Sequence, residues 1–292
     1  MARELTQAIV DGILLGGVYA LMAVGLTLIF GVLDIINIAQ GILVVLGAYL
    51  SYALFTKAGI DPFLGLLITI PAMFVIGVVI HWAFISRLRS SEKTAMTLLV
   101  TYAVALVIEG ILFKIYGADN VQIRPSYANS SVHVLGFYVG WVYIWGFILA
   151  VALVAVVYAL LYRTRFGRSV RAIMQDETAA RLVGINVNKV AAFTFGVGVA
   201  VTAAGGVVFG TTTAFNANSG YDLISRLLSI VILGGLGSIG GALGASVFML
   251  VLESVVTIWQ PNWAVVVYYA ALVIVLVYRP TGLFGRKAVR AQ

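Results

Sequence analysis

The stretch Leu223-Ile224-Ser225-Arg226-Leu227-Leu228-Ser229-Ile230-Val231-Ile232-Leu233-Gly234-Gly235-Leu236-Gly237-Ser238-Ile239-Gly240-Gly241-Ala242, which stays apolar as far as Val256, decides the architecture. About 20 apolar residues cross a hydrocarbon core as a helix, so Leu223–Val256 is too long for one crossing. It is cut in the middle by Gly234-Gly235-Leu236-Gly237-Ser238-Ile239-Gly240-Gly241. Glycine permits a tight turn, and such a break at membrane depth requires protein or a water-filled cavity around its backbone. The stretch reads as two passes, or as a re-entrant hairpin plus one helix.

Outward from it, further continuous apolar runs read as spans: Ile9–Phe30, Ile42–Thr56, Pro62–Phe84, Met96–Tyr116, Val139–Tyr162, Val190–Thr213 and Trp263–Tyr278. They are unbroken rather than alternating and exceed the ~10 residues of a barrel strand, so helices are expected. The fold class is an all-α polytopic transmembrane bundle, of about 8–9 crossings, with broken or re-entrant helices. Composition agrees. Of 292 residues, 62% are hydrophobic and 10% charged, with mean hydropathy +1.08. Soluble domains carry about 25% charged residues, so a soluble enzyme, a disordered chain and a nucleic-acid-binding domain are excluded. With no cysteine, disulfides, thiolate chemistry and Cys-ligated metal sites are excluded too, and with two histidines a histidine metal cluster is not expected. The first apolar run exceeds a signal-peptide core and is read as a retained span.

The net charge of +7 is a matter of topology. Arg87, Arg89 and Lys93 form one basic segment. Arg163, Arg165, Arg168, Arg171, Arg181 and Lys189 form a second, and Arg279, Arg286, Lys287 and Arg290 a third. Basic loops face the cytoplasm, which puts these three segments and the C-terminus inside. Gly117–Tyr138, Asn216–Asp222 and the N-terminus then lie outside. Trp141, Trp145, Trp259 and Trp263 are expected near outer ends of spans. The inner location of the tail is what demands an even number of passes within Leu223–Val256.

A second interruption, Gly31-Val32-Leu33-Asp34-Ile35-Ile36-Asn37-Ile38-Ala39-Gln40-Gly41, is too apolar for a free loop and too polar for lipid. Paired interruptions in two halves of a transporter point to the substrate path. Asn37, Gln40 and Gly41 from the first break, and Gly234, Gly235, Gly237, Ser238 and Gly240 from the second, are therefore the candidates for a translocation path or gate.

The basic segment 163–189 contains Gly167-Arg168-Ser169-Val170-Arg171-Ala172-Ile173-Met174-Gln175-Asp176-Glu177-Thr178-Ala179-Ala180-Arg181-Leu182-Val183-Gly184. Asp176 is placed to cap a short helix, Glu177 to favour its positive end, and Gly184 to close it in a left-handed conformation. Two turns are not stable alone. The ordinary reading is an amphipathic connector; the functional one is a docking helix for a soluble partner.

Ionisable groups within spans are costly and hence candidates for function. Asp11, Asp34 and Arg226 fall near expected span ends. Glu109 and Lys114 are read as snorkelling together. His81 and Glu253 are the pair available to meet inside the bundle. Nothing resembles a proton relay, and no P-loop is present. Gly12/Gly16, Gly206/Gly210 and Gly240/Gly244 are small-xxx-small pairs read as helix packing. Asn129-Ser130-Ser131 matches a glycosylation sequon by composition alone.

Three motifs, in order, carry a family resemblance. They are Gly25-Leu26-Thr27-Leu28-Ile29-Phe30-Gly31 continuing into Asn37-Ile38-Ala39-Gln40-Gly41, then Arg171 to Asn186, then Gly234 to Gly241. Together they resemble the branched-chain amino-acid permeases of ABC importers over nearly the whole chain. The resemblance implies one permease domain over residues 1–292, with 163–189 as its cytoplasmic coupling loop, in a bacterial inner membrane. It implies a heterodimer with a second related permease, two cytoplasmic ATPase subunits and an external solute-binding protein, with no cofactor and no catalysis in this chain. Asp176, Glu177, Thr178, Ala179, Ala180, Arg181 and Gly184 would couple it to the ATPases. The alternatives are an ABC permease for another solute such as urea, short amides, a sugar or a nucleoside; a stand-alone secondary transporter or channel; and an intramembrane enzyme built on His81 and Glu253.

Overall fold

The computed structural model describes residues 2–88, 93–128, 130–134 and 137–284. Arg89, Asn129, Arg286, Lys287 and Arg290 lie outside the described residues, as do the side chains of Lys93 and His133. Eleven helices are present among the described residues: α1 (Ala2–Leu33), α2 (Gln40–Ala58), α3 (Pro62–Ala83), α4 (Lys93–Tyr116), α5 (Trp141–Arg163), α6 (Arg165–Gln175), α7 (Glu177–Leu182), α8 (Val187–Thr212), α9 (Ser219–Gly234), α10 (Ile239–Trp259) and α11 (Pro261–Tyr278). A small antiparallel hairpin, β1 (Ser131–Val134) and β2 (Phe137–Gly140), precedes α5.

Eight helices, α1 to α5, α8, α10 and α11, are long and apolar enough to cross a membrane. The sixteen residues of α9 make it the short one, about 24 Å at 1.5 Å per residue. Leu223–Val256 thus resolves into two antiparallel helices, α9 and α10, joined at Gly235–Ser238. The elements that set the two ends of the bundle are the β-hairpin at one and α6–α7 at the other. At the hairpin end, Gln7 binds the Tyr138 backbone, Asn216 donates to Asn120 at 2.9 Å, and Tyr127 donates to Asp61 at 2.7 Å. Burial and that hydrogen bond to Asp61 push the Tyr127 phenol well above its ordinary range. Asp61 also caps α3 through the Phe63 amide, ahead of Pro62 at the first helical position.

The core is built around α8, which packs on α1, α2, α3 and α5; α1 also lies along α10. Small residues make this possible. Gly12 and Gly16 face the backbone of Val251 and Val247 on α10, and Gly206 faces Val44 on α2. A side chain at any of the three would collide with main chain. The third pair behaves differently: Gly240 faces open space and Gly244 meets only the ring of Phe284. On α3, α4, α5 and α11 the large apolar side chains point outward, with Leu67 77% and Val277 75% exposed, as a lipid-facing surface requires. Trp141, Trp145, Trp259 and Trp263 are exposed at the hairpin-end termini of their helices.

Two features were not expected. Residues 165–175 form a helix rather than a loop, because Thr164 caps it through the Gly167 amide at 3.0 Å and Val170 and Ile173 are buried against the bundle. The hairpin is the other; its four-residue strands are too short to register as a periodic signal.

Candidate functional site

Four regions concentrate the polar chemistry. The first is the break after α1. Asp34, at φ 52°, ends the helix, and the chain runs without regular structure until α2 begins beside the middle of α8. There Asn37 donates to Gln40 at 2.7 Å, Gln40 donates to Thr202 at 2.5 Å, and Thr202 donates to the Met22 carbonyl at 3.2 Å. Asn37 and Gln40 are wholly buried. Gly41 is required by contact: a Cβ there would strike the Gly220 carbonyl and meet the Ile224 amide nitrogen at 2.8 Å. The Asn37 Oδ1 has no hydrogen-bond partner among the described residues. This relay ties the break to α1 and α8 at once, and faces no open cavity in this conformation.

The second is the glycine turn. Gly235 and Gly237 have φ 93° and 79°, which a side chain would strain. Ser238 caps α10 through the Gly241 amide at 3.1 Å. Gly234 is pressed against Gly241, while Gly240 is exposed. The turn lies at the α6–α7 end. A Cβ on Gly31 would meet the Cα of Gly237 at 3.3 Å and the Cε of Met174, on α6, at 3.4 Å. The tail is fastened there as well, the Leu283 amide donating to the Leu233 carbonyl at 2.7 Å. The first break therefore starts against the glycine turn, at Gly31, and ends beside the middle of α8, whereas the turn itself stays at the bundle's end.

The third is the α6–α7 corner. The Asp176 carboxylate accepts the amides of Thr178 at 2.7 Å and Ala179 at 2.9 Å. Glu177 and Arg181 pair at 2.6 Å one turn apart. Gly184 ends the helix at φ 83°, its amide bonded to the Arg181 carbonyl and that of Ile185 to the Ala180 carbonyl. The helix has six residues, shorter than the two turns expected. It is held by Ala180, which is buried, and by α6, whose Arg171 reaches the Leu161 carbonyl and lies over the Tyr162 ring. Its far side projects Leu182 and Val183, 84% and 75% exposed.

A cleft at the hairpin end, with charged groups on largely apolar walls, was not visible in the sequence. Its volume is about 1080 Å³, and it is lined by α1, the end of α8, the start of α9 and the end of α10. Asp11, Asp222, Arg226 and Glu253 all face it. Arg226 and Glu253 form a two-pronged ion pair at 2.6 and 2.9 Å, and the guanidinium stacks over Tyr268, 5.3 Å from its centre. Glu253 therefore does not pair with His81. His81 is buried on α3 beside Phe195 of α8, whereas α10 packs on α1, α9 and α11. Nor does Arg226 sit at a span end; it stands in the middle of α9. Glu109 accepts a hydrogen bond from the Tyr221 hydroxyl at 2.6 Å. The residues missed by sequence reasoning are Asp222, Tyr268 and Thr202. Only Thr202, a polar side chain in an otherwise apolar run, left a signal.

The chain resembles known proteins over most of its length. Residues 8–276 match the family model described as branched-chain amino acid transport system / permease component. The chain is 30% identical over 303 residues to the high-affinity branched-chain amino acid transport system permease protein LivH of Escherichia coli, covering 97% of this chain and 96% of the relative. It is 26% identical over 301 residues to the corresponding permease protein BraD of Pseudomonas aeruginosa, with the same coverage. The probable branched-chain amino acid transport permease protein LivM of Methanocaldococcus jannaschii is 25% identical over 325 residues, covering 94% of this chain and 92% of the relative. No solved structure matches. With a family match across most of its length and relatives matched end to end, the chain belongs to the family of permease components of branched-chain amino acid transport systems.

Proposed function

We propose that the chain is the permease through which an ABC importer carries leucine, isoleucine or valine into the cell, with its C-terminus and the α6–α7 corner in the cytoplasm. The observation that carries this reading is the end-to-end match to permeases named for that transport, joined to a capped helix that projects from one end of the bundle. The whole described chain acts as one permease domain.

The cytoplasmic assignment follows the basic residues, six of which lie between Arg163 and Lys189. In this reading α7 is the coupling helix. Asp176 and Gly184 fix its two ends, Glu177 to Arg181 form its body, and Leu182 and Val183 insert into an ATPase subunit. Similarity to both LivH- and LivM-named proteins supports a second, related permease beside this one. The exposed apolar helices supply both lipid-facing and subunit-facing area. An external binding protein would deliver solute at the hairpin end. ATP-driven closure of the ATPases would push α7, and through α6 and Met174 move the glycine turn against Gly31. The buried relay from Asn37 to Thr202 would then act as a gate rather than a pore lining.

The test is uptake. Proteoliposomes holding this chain with its second permease and ATPases, supplied with binding protein, should accumulate labelled leucine only when ATP is present. Glu177→Arg or Gly184→Trp should abolish leucine-stimulated ATP hydrolysis without reducing membrane insertion. Uptake that needs no ATPase and collapses with an ion gradient would overturn the reading in favour of a secondary transporter.

A further inference from the structure

We propose that the cleft at the hairpin end is a station for the charged head group of the transported amino acid, Arg226 taking its carboxylate and Glu253 its ammonium. The proposal rests on the amino-acid reading above and adds to it the residues that recognise the substrate class.

Charges inside a membrane bundle are costly and are kept when they serve a purpose. Arg226 and Glu253 stand on facing helices, α9 and α10, with side chains 22% and 17% exposed. Both line a cleft of about 1080 Å³, just above the usual range of small-molecule sites and large enough for an amino acid. The pair is therefore reachable from the cleft while most of its surface is shielded from water. A solute with one charge would break this pair and leave a shielded charge unmatched, a large penalty. A zwitterion does not. Its carboxylate presents to a guanidinium the same planar, two-oxygen face that Glu253 now presents, and its ammonium offers Glu253 a new partner. Ionic contacts are exchanged rather than lost.

The surroundings favour the same class of ligand. Asp11 and Asp222 share the cleft wall, giving it an excess of carboxylates over its arginines; this draws in the ammonium end. Leu15, Val18, Phe209 and Leu250 supply apolar wall for an aliphatic side chain. Tyr268 is 1% exposed and lies under the guanidinium, so Arg226 has a stacking support that persists when its carboxylate partner changes.

The experiment uses the full complex of both permeases and the ATPases in phosphatidylcholine nanodiscs, without binding protein. A diazirine analogue of leucine is photolysed with it, and the labelled residues of this chain are mapped. Labelling is expected in the cleft walls of α1, α8, α9 and α10, with competition by excess leucine. Isopentylamine, lacking the carboxylate, and 4-methylpentanoate, lacking the ammonium, should each compete about tenfold less well. The double substitution R226Q/E253Q, which removes both charges together, should abolish the leucine-sensitive part. Leucine-sensitive labelling that maps elsewhere, equal competition by the two single-charge analogues, unchanged protection in the double variant, or no labelling would each overturn the station. If labelling fails while wild-type proteoliposomes still import leucine, only the station falls. If they import no leucine, the amino-acid reading falls with it.

Discussion

Gln40 donates a hydrogen bond to Thr202 at 2.5 Å where α2 begins beside the middle of α8, and both side chains are wholly buried. Thr202 in turn donates to the Met22 carbonyl, so one hydroxyl holds α1, α2 and α8 together. Thr202→Val keeps the shape but removes both bonds and leaves the Gln40 amide without its acceptor. Such a loss costs about 1–3 kcal/mol. Thermal unfolding of the detergent-purified protein should show a clear drop in midpoint for Thr202→Val and a small one for Thr202→Ser. Equal midpoints for wild type and Thr202→Val would show that the relay does not hold the break in place.

The glycines separate into those that close packing demands and those that stand free. At Gly41 an added Cβ would strike the Gly220 carbonyl, whereas at Gly240 it would meet nothing within 4 Å. Gly41→Ala must force α2 away from α9 and should sharply reduce the yield of folded protein. Gly240→Ala lies in the first turn of α10, where replacing glycine gains up to about 1 kcal/mol of helix propensity. Size-exclusion profiles and unfolding midpoints of the isolated subunit should therefore move in opposite directions for the two variants.

The α6–α7 corner offers a local test. Asp176 satisfies two otherwise free amides of a helix six residues long, and a helix that short persists only when capped and docked. Removing an N-cap costs about 1 kcal/mol, enough to populate an unwound α7 without unfolding the bundle. Asp176→Ala should lower leucine-stimulated ATP hydrolysis severalfold, and Asp176→Asn, which keeps an acceptor, should retain most of it. Leu182→Asp and Val183→Asp leave the Asp176 cap intact. They should instead weaken capture of the ATPase subunits, read as their loss from the purified complex.

These corners differ in how far the sequence discloses them. The apolar spans, the Asp176 cap and the left-handed Gly184 are each encoded within a few residues, and each appears where local reasoning places it. Helix α6 was legible too: Phe166, Val170 and Ile173 recur at helical spacing, and Val170 and Ile173 are its buried face, but its three arginines speak first of topology. The cleft was hidden for a stronger reason. Asp11, Arg226 and Glu253 belong to three helices, and only the packing of α1 along α10 and α9 brings them to one wall. Pairing Glu253 with His81 matched two unusual residues by type, without the packing that sets α3 against α8 and α10 against α1. The two breaks read alike as interruptions of apolar sequence, yet one leads into a buried relay and the other is a turn at the bundle's end. Depth is a tertiary property.

The ion pair across the cleft gives an asymmetric prediction for stability. Arg226→Gln alone leaves Glu253 shielded and without its guanidinium, and Glu253→Gln alone does the converse to Arg226. Breaking one side of a fully buried pair costs about 3–5 kcal/mol, whereas replacing both partners is often near neutral. Here the side chains keep 22% and 17% of their exposure, and water in the cleft screens the unmatched charge. The single variants should therefore fall below that range but clearly below wild type in unfolding midpoint, and R226Q/E253Q should recover much of the loss. The recovery identifies a coupled pair. Additive losses in the double variant would mean that the two charges stabilise the bundle separately, through Tyr268 and the cleft wall rather than through each other.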